Sequence, residues 1–98
     1  MSERCVVRVV ARGRVQGVGF RAFVEDEAIA RSLAGWVRNR RDGSVEAVVA
    51  GQAAQVEALV EAVRRGPPAS RVDAVDVEES SEESLGPRVG GFATLPSV

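Results

Sequence analysis

Two amphipathic stretches with helical spacing sit among alternating apolar runs in the order β-α-β-β-α-β, and the middle runs meet at an Asp-Gly. That order predicts an α+β fold, a ferredoxin-like α/β sandwich with a four-stranded antiparallel sheet and both helices on one face. The chain has 98 residues, enough for a single domain spanning 1–98 with one small core.

The first run, Cys5 to Arg12, places Cys5, Val7, Val9 and Ala11 on one side and Val6, Arg8, Val10 and Arg12 on the other. Such alternation predicts a strand with one buried face. Phe20, Phe23, Val24, Ala28 and Ile29 then recur at helical spacing to about Leu33, with Glu25, Asp26 and Glu27 outward. "GWVRNRRDGSVEAVVAG" reads as two strands joined at "RDG", because Asp-Gly between alternating runs is a strong hairpin signal.

Ala53, Val56, Leu59, Val60 and Val63 define the second helix, which "GPP" at Gly66–Pro68 stops. "RVDAVDVE" is a strand whose period slips between Val72 and Val75, the signature of a bulge or a late start. "ESSEESLGP" reads as a solvated loop, and "GGFATL" has the pattern for a short fifth strand at an edge.

Composition excludes several function classes. The formal net charge is -1, so no general electrostatic case for nucleic acid exists. No run approaches the roughly 20 apolar residues of a membrane span, and the N-terminus lacks a signal-peptide pattern. A cytoplasmic location is expected. One cysteine, Cys5, rules out a disulfide framework and a cysteine-based zinc site, and Cys5 is expected in the core. Without histidine, the commonest metal ligand and the commonest neutral-pH base are both missing. All 13 basic residues are arginine, a compositional bias. Their distribution is informative, because Arg14, Arg21, Arg38, Arg40 and Arg41 crowd two short stretches while acids gather between Asp73 and Glu83.

"GRVQGVGFR", Gly13 to Arg21, is the chemically loaded stretch. It cannot be a Walker loop, since Val18 falls where the second glycine is needed and the chain has no lysine. Gly17, Gly19 and Ala22 match the dinucleotide pattern G-x-G-x-x-A. The acid at the ribose-binding distance, Asp42, sits in the hairpin signal, and the following strand would run antiparallel. Glycines before a helix let backbone N–H groups converge, and the helix start adds unpaired amides and the positive end of its dipole. The product is a nest for a small dense anion. Arg21, in the first helical turn, is placed to bind two oxygens of that anion.

"GRVQGVGFR" followed by "GWVRN" (35–39), "DGSVE" (42–46) and "GPP" (66–68) resembles the acylphosphatase family from about Arg4 to Val77. By that resemblance, the main-chain amides of Arg14, Val15, Gln16, Gly17, Val18, Gly19 and Phe20 hold a substrate phosphate. Arg21 matches the family's catalytic arginine and Asn39 the asparagine that positions the attacking water. The implied reaction hydrolyses an acyl phosphate to a carboxylate and inorganic phosphate, with no metal or cofactor. The partners so implied are a small acyl phosphate and inorganic phosphate or sulfate as a product-like ligand, with no nucleic acid, no membrane, and a monomeric state.

The residue set suits that chemistry on its own terms. A carboxylate leaving group has a pKa of about 4 and departs without a general acid. Loose phosphoryl transfer needs mainly positioning and charge neutralisation. Amides, one arginine and one oriented water are sufficient, and the substrate's own phosphate oxygen can take the water's proton.

Three departures from the family pattern stand out. Arg31 and Ser32 replace an apolar residue and a glycine at the end of the first helix, so Ser32 must make the exit without glycine's freedom at positive φ. Arg40 follows Asn39 where small or polar residues are common, a placement that can act on anionic substrates. "GGFATLPSV" is a weak version of the closing strand.

Two rival readings keep the fold. A non-catalytic anion- or RNA-binding module would want exposed aromatics, and one tryptophan, three phenylalanines and no tyrosine make a thin platform. Trp36 is expected to pack. An acylphosphatase-like domain of a larger carbamoyl-transferring protein would be followed by zinc-finger and transferase segments. The expectation here is a stand-alone hydrolase.

Overall fold

A computed structural model of the chain describes residues 3–87 and 90–98. The elements follow the expected order: β1 (Arg4–Arg14), α1 (Phe20–Ala30), β2 (Ala34–Asn39), β3 (Val45–Gln52), α2 (Ala53–Arg65) and β4 (Arg71–Glu79). A short 3₁₀ turn (Glu82–Leu85) and β5 (Phe92–Thr94) complete the chain. Among the described residues, no helix is long and apolar enough to cross a membrane.

The strands form one sheet in the order β4-β1-β3-β2-β5. The ladder from Arg4↔Gln52 to Ala11↔Val45 joins β1 to β3, and β2 runs antiparallel along β3 from Ala34↔Ala50 to Asn39↔Val45. The fifth strand is present and pairs parallel with β2, making the sheet mixed. On the far side, β1 pairs with β4, and the register shifts after Arg12↔Ala74 to Gly13↔Val72. Asp73 is therefore the extra residue of a bulge, which accounts for the slipped apolar period between Val72 and Val75. Gly13 is required there: its φ is +127° and a Cβ would overlap the Arg71 carbonyl oxygen.

The main core lies between the sheet and the helices. Val9, Ala11, Val37, Val45, Ala47 and Val49 meet Phe20, Val24 and Ala28 of α1 and Val56, Leu59, Val60 and Val63 of α2. Cys5 packs at its edge, half-buried, and burial pushes its thiol pKa up. Ile29 does not join this core and is 60% exposed. At 3.6 residues per turn it lies on the opposite side of α1 from Phe20, so the i, i+4 series of Phe20, Val24 and Ala28 is the true stripe.

The other face of the sheet is also covered, contrary to the expectation of one buried face. Val6, Trp36, Val48 and Ala50 form a second cluster capped by Leu85 and Leu95. The acidic segment expected to be a solvated loop supplies Leu85 of that cap, and the Trp36 indole N–H donates to the Ser84 carbonyl at 2.9 Å. Trp36 packs, as its neighbours require. Arg4 grips Glu82 through two hydrogen bonds, at 2.8 and 2.9 Å. Beside the cluster, Glu46 is buried between Arg8 and Arg38, and the Arg38 guanidinium lies 4.6 Å from the Trp36 ring centre.

The first helix ends at Ala30, earlier than its apolar spacing suggests. The Leu33 N–H bonds back to the Ala28 carbonyl at 2.9 Å and the Ser32 N–H to that of Ile29 at 3.1 Å, a Schellman ending. Ser32 stands at the left-handed position with φ +57°, where glycine is usual. Replacing it with glycine relieves a Cβ clash but frees the unfolded chain. The net expectation for Ser32→Gly is a gain of about 0.5–1 kcal/mol in urea-melt stability. Leu59→Ala, at a fully buried position, is expected to lose about 2–5 kcal/mol in the same measurement.

Candidate active site

The sheet brings the end of β1 beside the start of β3, so the 15–19 segment faces the loop that joins β2 to β3. Val15 is 1% exposed and Phe20 is 2% exposed, and these two anchors pin the ends of the segment into the main core. Between them Gly17 and Gly19 take φ of +73° and +77°, with open space where their Cβ atoms would be. Gly19 is the N-cap of α1, which has no side-chain cap and no acid in its first turn. Among the described residues, the N–H groups of 16–19 find no acceptor in the protein, and the first turn of α1 leaves further amides unpaired by its geometry.

Gly17 and Gly19, with Phe20 at the helix start, line a cleft of about 300 Å³ together with Val15, Arg21, Ala22, Glu25, Asn39 and Thr94. Arg21 and Asn39, far apart in sequence, thus share one cavity. Arg21 forms no ion pair among the described residues, whereas Arg8, Arg12, Arg31 and Arg38 all do. An unpaired cation in the first helical turn is held against the dipole, a cost of about 0.3–1 kcal/mol that a bound anion would reverse. Asn39 closes β2 opposite Val45, half-buried, and its carbonyl accepts the Val98 N–H at 3.1 Å. Its side-chain amide has no partner among the described residues, which leaves it open to the cleft's contents.

Of the nine residues singled out in the sequence, Val15, Gly17, Gly19, Phe20, Arg21 and Asn39 line the cleft. Arg14, Gln16 and Val18 do not. Arg14 ends β1 opposite Arg71, and Val18 packs half-buried on the main core. Gln16 sends its side chain to the hairpin, where its Nε2 donates to the Arg40 carbonyl at 2.8 Å and the Ser44 carbonyl at 2.9 Å. Ala22, Glu25 and Thr94 are cleft residues that the sequence reading missed. Glu25 could have been found from its i+4 relation to Arg21. Thr94 could not, since it arrives only through the parallel pairing Val37↔Thr94.

The hairpin is a compact three-residue loop. The Arg40 N–H donates to the Ser44 carbonyl at 2.9 Å, and the Gly43 N–H to the Arg40 carbonyl at 3.1 Å, with Gly43 at φ +93°. Asp42 Oδ1 accepts both the Ser44 hydroxyl at 2.5 Å and the Ser44 N–H at 2.9 Å. Those two bonds, helped by the charge of Arg40 and a bond from Arg12, hold the Asp42 carboxyl down at about 2. Arg40 itself does not line the cleft; its guanidinium lies 4.0 Å from Asp42.

The acylphosphatase family profile matches residues 7–92. The chain belongs to the acylphosphatase family. It is 53% identical over 98 residues to an acylphosphatase from Bradyrhizobium diazoefficiens, covering 98% of this chain and 99% of that one. Among solved structures, it superposes on the acylphosphatase from Bacillus subtilis with a TM-score of 0.83 at 44% identity, over 95% of this chain and 99% of the other. It superposes on the Coxiella burnetii acylphosphatase with a TM-score of 0.85 at 34% identity, over 94% and 93%. The ferredoxin-like arrangement expected from element order is thus the family's arrangement.

The Asp42 turn has a definite pH signature. Its carboxyl titrates lower in the folded chain than its ordinary 3.8, so its stabilising contribution is complete above about 4 and lost as pH falls through about 2. In thermal melts, Asp42→Ala is expected to lie below the parent protein at pH 6, and the gap is expected to close on approach to pH 2.

Proposed function

We propose that this cleft hydrolyses acyl phosphates, with the phosphate held by amides of the 14–20 loop and by Arg21 and with the attacking water oriented by Asn39. The observation that carries this reading is one cavity that brings together backbone amides, an arginine and an amide side chain, all without a protein partner among the described residues. Family membership supports the same chemistry.

The substrate's dianionic phosphate replaces water on the loop N–H groups, above all those of Gly17, Gly19 and Phe20, which line the cleft. The Arg21 guanidinium takes two phosphate oxygens and offsets charge on the transferring group. Asn39, on the rigid end of β2, accepts a hydrogen bond from a water and directs its lone pair at phosphorus. The water oxygen forms the new bond to phosphorus as the bond from phosphorus to the acyl oxygen breaks. The departing carboxylate carries the electron pair away unprotonated, and the water's proton passes to a phosphate oxygen. No general acid is required, because a group with a pKa of about 4 is stable as the anion at neutral pH. The same residues are a poor set for a phosphate monoester, whose alkoxide needs a proton or a Lewis acid.

The test is hydrolysis of benzoyl phosphate by purified protein in excess chelator. Arg21→Ala is expected to lower kcat/KM by about 10²–10³, the range for losing a preorganised charge-stabilising group. Asn39→Ala is expected to lower kcat by about 10², the scale for a misplaced reactant. A phosphate monoester should remain untouched. Folded protein that binds phosphate yet turns nothing over would make the anion-binding module the correct reading.

A further inference from the structure

We infer that the Gln16 side chain is a positioning residue that sets the phosphate loop in register with Asn39. The inference rests on the acyl phosphate reading of the cleft. It concerns a part of the molecule outside the cleft lining, since the resemblance assigns Gln16 only its main-chain amide.

The glycine segment has a mechanical problem. Gly17 and Gly19 sit in open space with no side chain to hold them, and the N–H groups of 16–19 have no internal acceptor among the described residues. Nothing in that stretch of backbone would keep the amides convergent before a ligand arrives. Val15 and Phe20 fix its two ends, and Val18 rests half-buried on the main core, but none of these ties the segment to the hairpin. Gln16 supplies the tie to the hairpin through both protons of its Nε2, at 2.8 Å to the Arg40 carbonyl and 2.9 Å to the Ser44 carbonyl. Both acceptors are carbonyl oxygens, so only the NH₂ end of the amide can face them and its orientation is unambiguous.

The anchor is well chosen. Those two carbonyls are the ones that close the hairpin loop, accepting the Gly43 and Arg40 N–H groups as well. Ser44 is 2% exposed and doubly bonded to Asp42, so the acceptors cannot shift without breaking the turn. Arg40 directly follows Asn39 in the chain. Gln16 therefore ties the loop that would hold phosphorus to the segment that carries the proposed water-orienting amide. Misregister by about 1 Å between a nucleophile and its target can cost up to about 10² in rate. A side chain that couples the two is thus worth more to turnover than to folding.

The experiment compares the parent protein with Gln16→Met, which keeps length and removes both donors, using benzoyl phosphate kinetics, inhibition by inorganic phosphate, and melting with and without phosphate. Gln16→Met is expected to lower kcat about tenfold and to raise the phosphate inhibition constant by about three- to tenfold, the scale of one or two lost hydrogen bonds. Its melting temperature without phosphate should stay near the parent's, because Gln16 lies outside both core clusters. Gln16→Glu provides a rescue in place. Its ionised carboxylate repels the two carbonyls, while the protonated form regains one donor, so its kcat relative to the parent should rise as pH falls toward about 4.3.

A folded Gln16→Met with kcat and phosphate inhibition within about twofold of the parent overturns the inference. So does a chain that melts lower yet keeps those constants per folded molecule, or a Gln16→Glu to parent ratio that is flat with pH. A parent protein that neither hydrolyses benzoyl phosphate nor is stabilised by phosphate overturns the reading of the cleft instead. An active parent with an equally active Gln16→Met overturns the positioning role alone.

Discussion

The pairing of Ala11 with Val45 at the end of the central ladder is the constraint on which the rest of the molecule depends. It fixes which end of the sheet receives both the exit from β1 and the loop before β3. A slip of one residue would turn Val9, Ala11, Ala47 and Val49 away from the helices and separate the glycine segment from the hairpin. Burial enforces the register, because every residue of β3 from Val45 to Gly51 is buried. The site is therefore built where two core strands end, on the most constrained backbone available.

The edge strands refine that placement. Asn39 ends β2, which is held by β3 on one side and by β5 and the following residues on the other. The Leu95 N–H reaches the Val37 carbonyl at 2.8 Å, and the Val98 N–H reaches that of Asn39 at 3.1 Å. Leu95 also covers the Trp36 cluster, so one C-terminal segment braces the strand that carries Asn39 and closes the second face. Covering both faces matters in a chain of this size, whose single core buries little area per residue.

Charge is distributed with the same economy. Glu46 neutralises two arginines in a half-buried setting, and Arg4, Arg12 and Arg31 each meet an acid. Against this background of pairing, Arg21 at an uncapped helix start breaks two local rules together: the first turn holds no acid to complement the dipole, and among the described residues no acid pairs with the cation. Violations of this kind cluster where a ligand is meant to supply the missing partner. The glycines of the segment are the backbone counterpart, since their amides find no acceptor among the described residues.

Much of this was legible from the amino-acid order alone. Apolar period distinguishes the strands from the helices, the Asp-Gly locates the hairpin, the glycines before a helix point to Arg21, and the resemblance of "GRVQGVGFR" and "GWVRN" to the acylphosphatase family adds Asn39. Even the bulge at Asp73 left a trace as a broken alternation. What stayed invisible depended on contacts between segments remote in sequence. Ile29 has the hydrophobicity of a core residue but the wrong angle on its helix. The acidic run has the composition of a solvated loop, yet its Leu85 and the Ser84 carbonyl meet Trp36 across the sheet. Thr94 enters the cleft by a parallel pairing that no local pattern encodes, and the Gln16 side chain finds carbonyls that exist as a pair only once the hairpin has closed. Local period and turn chemistry are properties of neighbours in the chain and survive in the sequence. Register between strands, the second covered face and the clamp on the glycine segment are properties of neighbours in space, and only the folded chain decides them.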